Sequence, residues 1–347
     1  MTAYQSYPRT ERSSLVVLLN KIVILCSVFC VLVLSGCGTL NTQPGNTNSK
    51  KITGNFYGCS FGSFVGTVDA VTLNSYESTI DRSLPVVHWY VNWTQGFPSS
   101  ECELLRARGS IPYITWEPWR GIIVDPVYSL DNIIAGTFDI YMRTWAADCK
   151  NYGNPLFLRF AHEMNGSWYP WDGYHNGSSE SSSSKYILAW KHVYNIFSSL
   201  GVDNVTWVWS PNNNSVPNSS WNSISNYYPG DDYVDWIAID GYNFGTDGSR
   251  WETFDELFLS TYTLLSGAYQ TKPFMIGEFA CSENGGSKAD WITDSFSKIK
   301  NSYANIKLVS WFNISKEADW RIDSSNASKT SFTAEVNSSY FLGTIGQ

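Results

Sequence analysis

Two glutamates are the residues of this sequence best placed to do chemistry. Glu163 follows the apolar segment 155–160, and Glu278 ends the apolar segment 273–277. Because burying a carboxylate without a partner is costly, we expect both side chains at a site that a ligand can reach. A pair of carboxyl groups suits the cleavage of a glycosidic bond, in which one group protonates the leaving oxygen and the other attacks the anomeric carbon. The alternative is two solvated carboxylates in unrelated loops.

Short apolar runs alternate with amphipathic segments from residue 55 onward, as is typical of strands and helices around a parallel sheet. We predict strands at 56–60, 86–91, 111–115, 155–160, 205–209, 234–240, 274–277 and 306–311. We predict helices at 100–107, 138–151, 185–200, 251–269 and 288–304. Eight strands favour an α/β fold of the (β/α)8 TIM barrel type, in which reactive groups lie at the carboxyl ends of the strands. The serine-rich run 177–184 follows the fourth predicted strand and is then expected on that face, which carries the loops.

Polar and aromatic residues near the predicted strand ends complete the candidate site. Those that we expect to bind substrate are His88, Trp116, Arg159, His162, Trp168, Trp171, Tyr242 and Trp311. Glu117 is expected to be structural or to serve a remote part of the site. Neither the cysteines nor His162 has the spacing of metal ligands, and no metal or cofactor is expected.

The composition narrows the class of partner. The chain has 347 residues with 16 Trp, 21 Tyr and 18 Phe, which suits either a large aromatic core or a surface that stacks on hydroxyl-rich ligands. Its net charge of -8 disfavours nucleic acid, because there is no basic stripe to neutralise phosphates. We predict a monomer that binds a neutral polysaccharide.

The N-terminal region has the pattern of an export signal. Residues 1–36 combine positive charge with an apolar run too short to span a bilayer comfortably, and they end in a sequence that resembles a bacterial lipobox. We predict a lipoprotein signal peptide over 1–36, lipid modification at Cys37, a flexible tether over 37–54 and one catalytic domain over 55–347. The protein would then be exported and anchored to the membrane at the cell surface. An ordinary signal peptide or an uncleaved anchor is the alternative.

Export would place the cysteines in an oxidising compartment. Besides Cys37, the cysteines beyond the signal are Cys59, Cys102, Cys149 and Cys281. These four can pair in three ways or remain free thiols. Cys102 with Cys149 is the favoured pair, because both fall on consecutive predicted helices.

The motifs around the two glutamates resemble glycoside hydrolase family 26. The likeness rests on FLRFAHEMNGSWYPW around Glu163 and FMIGEFA around Glu278, with support from ITWEPW at 114–119 and YVDWIAIDGY at 233–242. It covers the chain from about residue 55 to the C-terminus. The resemblance implies that Glu163 is the acid/base and Glu278 the nucleophile.

The same resemblance implies roles for four neighbours and a type of reaction. Tyr242 would hydrogen-bond the nucleophile, His162 would hold the position before the acid/base, and Trp168 and Trp311 would line the sugar nearest the cleaved bond. The reaction would be endo-acting hydrolysis by double displacement with retention, for which the carboxyl groups stand about 5–5.5 Å apart.

The resemblance leaves the substrate open. The family points first to β-1,4-mannan. The order Arg-Phe-Ala-His-Glu at 159–163, together with ITWEPW and WYPW, is closer to members that cut mixed-linkage β-1,3-1,4-glucan. A third alternative is a surface lipoprotein that binds glycans without cleaving them.

Overall fold

The structure, a computed structural model, describes residues 50–345. Its strands are β1 (Cys59–Phe64), β2 (Val86–Asn92), β3 (Ile111–Glu117), β4 (Leu156–Phe160), β5 (Val205–Trp209), β6 (Trp236–Asn243), β7 (Phe274–Cys281), β8 (Ile306–Phe312) and β9 (Phe341–Leu342). Its helices are α1 (Ala70–Ile80), α2 (Ser99–Arg108), α3 (Leu130–Ile134), α4 (Asp139–Tyr152), α5 (Glu180–Ser199), α6 (Phe254–Ala268), α7 (Lys288–Ser302) and α8 (Asn326–Val336). Strands β1 to β8 pair in parallel and in order, and β8 also pairs with β1, so the sheet closes into a barrel. The predicted (β/α)8 fold is confirmed.

The barrel has an apolar layer on each side of its sheet, because successive side chains of a strand point to opposite faces. The inner layer contains one or two apolar residues from most strands, among them Val86, Tyr113, Phe157 and Leu308. The outer layer packs the strands against the surrounding helices and is far richer in aromatic side chains. Most tryptophans of the described chain therefore serve the outer core.

Residues 51–54 close the amino-terminal end of the barrel. Ile52 is buried, its amide N–H donates to Thr206 Oγ1 at 2.9 Å, and its carbonyl accepts from the indole of Trp236 at 2.7 Å. The ammonium of Lys51 binds the carboxylate of Asp235 at 2.8 Å. This segment is part of the folded domain, which begins before the predicted boundary at residue 55. The predicted signal peptide and Cys37 lie outside the described residues.

Several element boundaries differ from the prediction for local reasons. The first strand lies at Cys59–Phe64 rather than 56–60, and the helices α1, α3 and α8 and the strand β9 were not predicted. The serines at 181–184 lie in the first turns of α5, where Ser179 and Ser182 form a reciprocal hydrogen-bonded cap. Serine favours such helix starts because its hydroxyl satisfies a free backbone N–H, so this helix begins at Glu180 rather than at the predicted residue 185.

The four described cysteines are buried free thiols, so the favoured pairing of Cys102 with Cys149 was wrong. The two residues do lie on neighbouring helices, α2 and α4. Within residues 50–345, no helix is long and apolar enough to cross a bilayer.

Candidate active site

A cavity of about 800 Å³ opens at the carboxyl ends of the strands. Nearly every strand, or the loop that follows it, contributes a side chain. The lining includes Phe64, Tyr90, Glu117, Trp119, Glu163, Trp168, Tyr169, Asn212, Tyr242, Phe244, Glu252, Glu278, Phe312, Lys316, Glu317 and Trp320. Aromatic rings together with carboxyl and amide groups are typical of a pocket that stacks on a ligand and hydrogen-bonds its edges.

Glu163 reaches the cavity from irregular backbone beyond the end of β4. Ala161 and Glu163 have φ angles of 47° and 53°, in the left-handed region that non-glycine residues seldom adopt. The strained turn is held because the amide N–H of Glu163 donates to Ser210 O at 2.7 Å, and the Gly166 amide donates to Glu163 O at 2.9 Å. A Cβ on Gly166 would lie 2.6 Å from the ring of Trp168. Gly166 therefore lets this indole pack over the turn.

The carboxyl group of Glu163 is held by two neutral donors. Asn212 Nδ2 donates to its Oε1 at 2.9 Å, and Trp168 Nε1 donates to its Oε2 at 2.8 Å. Burial raises the pKa of Glu163 to about 7, the negative charge of Glu278 adds to the increase, and the two donors oppose it. Near neutral pH this group can therefore give up a proton or take one.

Glu278 points into the barrel because β7 carries an irregularity. Met275 belongs to the inner apolar layer, while Phe274, Ile276 and Phe279 belong to the outer core. Strict alternation would thus send Glu278 outward. The register of β7 against both β6 and β8 shifts around residues 277–278, and such a shift re-aims a side chain.

Gly277 is required at this irregularity. A Cβ at Gly277 would lie 2.4 Å from Asp240 Oδ1 and 3.0 Å from the hydroxyl of Tyr113. Only glycine leaves room for the strand to turn Glu278 inward above a buried carboxyl group.

The carboxylate of Glu278 is surrounded by donors. Arg159, Tyr90 and Tyr242 all donate hydrogen bonds to it. Burial by itself would raise the pKa of Glu278, but the charge of Arg159 and the two tyrosine hydroxyls lower it to about 2. Glu278 is therefore ionised across the physiological range, in contrast to Glu163.

Arg159 lies beneath the cavity and joins a layer of buried polar groups. Its Nη1 donates to Asp240 Oδ2 at 2.8 Å, its Nε donates to Thr115 Oγ1 at 2.8 Å, and its Nη2 lies 3.1 Å from His88 Nε2. Burial raises the pKa of Asp240, while Arg159 opposes the increase. Arg159 is completely buried, so it acts on Glu278 and does not contact a ligand. The expectation that it binds substrate directly was wrong.

Three predicted substrate contacts lie in the outer core instead of the cavity. Trp116 stacks on Trp145 with a centroid distance of 4.6 Å and is fully buried. Trp311 packs against Phe279, with ring centroids 5.0 Å apart. Trp171 is buried too, and its indole donates to His162 O. Because they face the helices or lie behind the cavity wall, these tryptophans cannot stack on a sugar there, and their predicted role was wrong.

Both predicted histidine contacts are also covered. His88 lies in the polar layer, and burial and Arg159 lower its pKa well below the usual value, so its ring is neutral. His162 bonds the hydroxyl of Tyr169 at 3.0 Å behind the cavity wall, and burial lowers its pKa in the same way. Neither lines the cavity, so they position other groups rather than bind substrate. Of the predicted substrate contacts, only Trp168 and Tyr242 line it.

The structure adds functional candidates that the sequence did not single out. Tyr90 lies near the carboxyl end of β2 and Phe312 ends β8, and their inward positions follow from alternation with Val86 and Leu308. Phe244, Lys316 and Trp320 come from loops, where sequence periodicity gives no signal. Glu117, expected to be structural or remote, lies on the same cavity as Glu163 and Glu278.

The loop that carries Trp320 is fastened from below by Lys288. This buried ammonium donates to the carbonyls of Asp319 at 2.9 Å and Arg321 at 2.6 Å, and to Ser324 Oγ at 2.9 Å. Trp320 then packs beside Tyr242, with ring centroids 5.2 Å apart. Lys288 thus orders one wall of the cavity without touching it.

Comparison with known proteins identifies related sequences. Residues 114–262 match the family model described as glycosyl hydrolase family 26. Endoglucanase H of Acetivibrio thermocellus is 39% identical over 296 residues, which cover 83% of this chain and 31% of that protein. A mannan endo-1,4-beta-mannosidase of Bacillus subtilis is 33% identical over 141 residues, which cover 40% of this chain and 34% of that protein. The aligned part of the chain thus spans about a third of the length of each relative.

Solved structures agree on the fold. A Bacillus subtilis mannanase structure superposes with a TM-score of 0.60 at 18% identity, and the match covers 86% of this chain and 91% of that one. At this level of identity the likeness supports the barrel architecture only. The family match spans Glu163 and ends before Glu278.

Proposed function

We propose that this chain, which belongs to glycosyl hydrolase family 26, is a retaining endo-β-glycanase that acts by double displacement. The observation that carries the proposal is the pair of glutamates in one cavity whose pKa values are moved in opposite directions. Glu163 has a pKa of about 7 and Glu278 a pKa of about 2. Two carboxyl groups with separated pKa values can divide the roles of acid and nucleophile.

In the first step, the Glu278 carboxylate attacks the anomeric carbon while Glu163 protonates the departing glycosidic oxygen, so a glycosyl ester forms and the bond to the leaving sugar breaks. Esterification removes the negative charge of Glu278. The pKa of Glu163 then falls, because that charge had helped to raise it. Glu163 therefore stays ionised after the first step and can act as the base. It takes a proton from a water whose oxygen bonds to the anomeric carbon while the bond from that carbon to Glu278 breaks, which restores both carboxyl groups.

We propose a linear β-glucan as the substrate, with β-mannan as the second candidate. The similarity to a protein named as an endoglucanase covers 83% of this chain, whereas the similarity to the mannosidase of Bacillus subtilis covers 40%. The order Arg-Phe-Ala-His-Glu at 159–163 also favours mixed-linkage glucan, because it resembles the family members that cut that polymer. Family members named for mannan support the second candidate.

The test combines substrate screening with trapping of the nucleophile. Release of reducing ends is measured on lichenan, barley β-glucan, glucomannan and galactomannan, and proton NMR follows the anomer that appears first. A 2-deoxy-2-fluoro-β-glucoside or cellobioside with a dinitrophenolate leaving group should form a stable ester with Glu278, located by peptide mass spectrometry. A first product of inverted configuration, or a label on another residue, would contradict double displacement.

A binding protein without activity gives a different result. Such a protein would bind one of these polysaccharides tightly, release no reducing ends and form no ester. Glu278→Ala provides the matched control, because it should bind polysaccharide as the wild type does and yet release nothing.

We also propose export and acylation at Cys37. The sequence before this residue supports the proposal, since it has the order of a lipobox after an apolar run. Incubation of expressing bacteria with labelled palmitate should label the wild type and not Cys37→Ser. Equal labelling of both proteins would refute it.

A further inference from the structure

Glu117 is a third carboxyl group in the cavity, and the proposed cleavage does not use it. It ends β3, next to the strand that precedes Glu163, and it is 8% exposed. Its backbone carbonyl accepts hydrogen bonds from the amides of Trp93 at 3.0 Å and Trp119 at 2.8 Å. The main chain is thereby fixed, and the side chain occupies the cavity wall beside Trp119 and Tyr169.

The bonding capacity of this carboxyl group is largely unused by the protein. A carboxylate offers about four acceptor positions. A side-chain hydrogen bond from Trp119 favours its ionised form. Because the side chain lines the cavity, hydroxyl groups of a bound sugar can donate to the remaining acceptor positions. Among the described residues, no cation forms a salt bridge with Glu117, whereas Arg159 forms one with Glu278.

The cavity as a whole is acidic. Among the described residues that line it, the carboxyl groups belong to Glu117, Glu163, Glu252, Glu278 and Glu317, and the cationic side chain belongs to Lys316. Lys316 itself binds Glu317, with Nζ 2.8 Å from Oε1. Glu278, Glu317 and Glu252 are paired with Arg159, Lys316 and Arg250. A glycan chain that carries carboxyl groups would therefore chiefly meet the charge of Glu117 in a partly desolvated space, where repulsion is strong.

We propose that Glu117 is a specificity-determining residue that accepts hydrogen bonds from hydroxyls of a neutral glycan and repels chains that bear carboxyl groups. This inference rests on the proposed function, because it assumes that the cavity binds a polysaccharide. Burial raises the pKa of Glu117 to about 7, so the repulsion should strengthen as pH rises through that value. The charged and titratable groups that face it are Arg159, Tyr169, Glu278 and Lys316.

The experiment compares a neutral β-glucan with the same polymer after light carboxymethylation. The readout is the ratio of kcat/KM on the neutral polymer to kcat/KM on the carboxymethylated one at pH 8. The requirement for a protonated Glu163 in the cleavage step affects both substrates alike and cancels in this ratio, and the charge of Glu163 is the same in the wild type and in Glu117→Gln when they are compared at one pH. Glu117→Gln keeps the shape and one acceptor for Trp119 but removes the charge, and we expect the ratio to fall about tenfold, as for loss of an interaction with a charged group.

Glu252→Gln is the matched control, because Glu252 also lines the cavity but binds Arg250 at 3.1 Å. Its ratio should stay at the wild-type value. A second measurement compares pH 5 with pH 8: the wild-type ratio should be smaller at pH 5, where Glu117 is protonated. This dependence on pH should be weaker in Glu117→Gln, which keeps only Glu163 with a pKa of about 7 in the cavity. An unchanged ratio in folded Glu117→Gln, or a wild-type ratio that does not depend on pH, would overturn the inference.

These failures are distinct from failure of the proposed function. If the wild type cleaves neutral glucan and its Glu278 is labelled by the fluoroglycoside, the function stands even when the Glu117 inference falls. If no polymer is cleaved and no label forms, the function itself falls.

Discussion

The indole of Trp168 lowers the pH at which Glu163 loses its proton, against the larger effect of burial. Its N–H donates to Glu163 Oε2 at 2.8 Å, and this bond is stronger to the ionised carboxylate than to the neutral acid. Trp168→Phe keeps an aromatic ring on the cavity and removes the donor. We therefore expect the variant to hold its catalytic proton to higher pH than the wild type.

The size of the pKa change follows from the strength of the hydrogen bond from Trp168 to the ionised carboxylate compared with the strength of the same bond to the neutral acid. A hydrogen bond to a charged group contributes about 1.5–3 kcal/mol, and one between neutral groups about 0.5–1.5 kcal/mol. The difference of roughly 1–1.5 kcal/mol corresponds to about one pKa unit. Because Asn212 still donates to Oε1, the pKa of Glu163 should rise from about 7 by roughly one unit.

The assay is kcat as a function of pH at saturating substrate, where groups that affect only binding drop out. The alkaline limb reports the acid in the enzyme–substrate complex. It should move upward by roughly one pH unit in Trp168→Phe, even if the plateau is lower because a sugar contact is lost. Tyr169→Phe is the control: this hydroxyl bonds His162, so the limb should stay in place.

An alkaline limb that stays in place in Trp168→Phe would refute the reasoning, and so would one that moves to lower pH. Either result would mean that the indole does not stabilise the ionised form of Glu163 during turnover. A shift of equal size in Tyr169→Phe would assign the effect to general loosening of the loop after β4.

Three further predictions concern stability and binding. Glu163→Gln should have a free energy of unfolding roughly 3 kcal/mol above that of the wild type at pH 8, and about the same value below pH 4.5. The reason is that the wild type must ionise a buried group whose pKa in the folded state is raised from 4.5 to about 7. Urea unfolding at both pH values tests this. Trp116→Ala should lower the free energy of unfolding by about 3–5 kcal/mol and leave KM unchanged. Phe244 lines the cavity and is 37% exposed, so Phe244→Ala should raise KM with little effect on stability. The reverse pattern would contradict the placement of both rings. Lys288→Met should speed proteolytic cleavage within 315–324 and raise KM, since the loop loses the donor that fastens it; unchanged cleavage would show that the loop holds its place without this side chain.

The sequence predicted the barrel and the two glutamates because both depend on strong local patterns. Apolar runs alternate with helical segments along the whole domain, and Glu163 and Glu278 each follow such a run. The same alternation could have placed Phe312, rather than Trp311, in the cavity. Leu308 is an inward residue, and side chains four positions apart on a strand share a face.

Other parts of the site could not be derived from periodicity. The inward direction of Glu278 depends on a register shift at Gly277, and that of Glu163 depends on two left-handed residues. Both irregularities are stabilised by groups distant in sequence, such as Ser210 and Asp240. Trp116 and Trp171 were assigned to the ligand because tryptophan near a strand end suits either the core or a sugar, and only the packing decides between them.

The position of residues 51–54 at the amino-terminal end of the barrel has a practical consequence for work on solid polysaccharides. This segment enters the domain at the face opposite the cavity, and its burial fastens it there through Thr206, Trp236 and Asp235. If the protein were attached to a bead or electrode through residue 50, the opening of the cavity would therefore face away from the support and could reach an insoluble polysaccharide layer. Trimming the domain at residue 55, by contrast, would open the underside of the barrel to water.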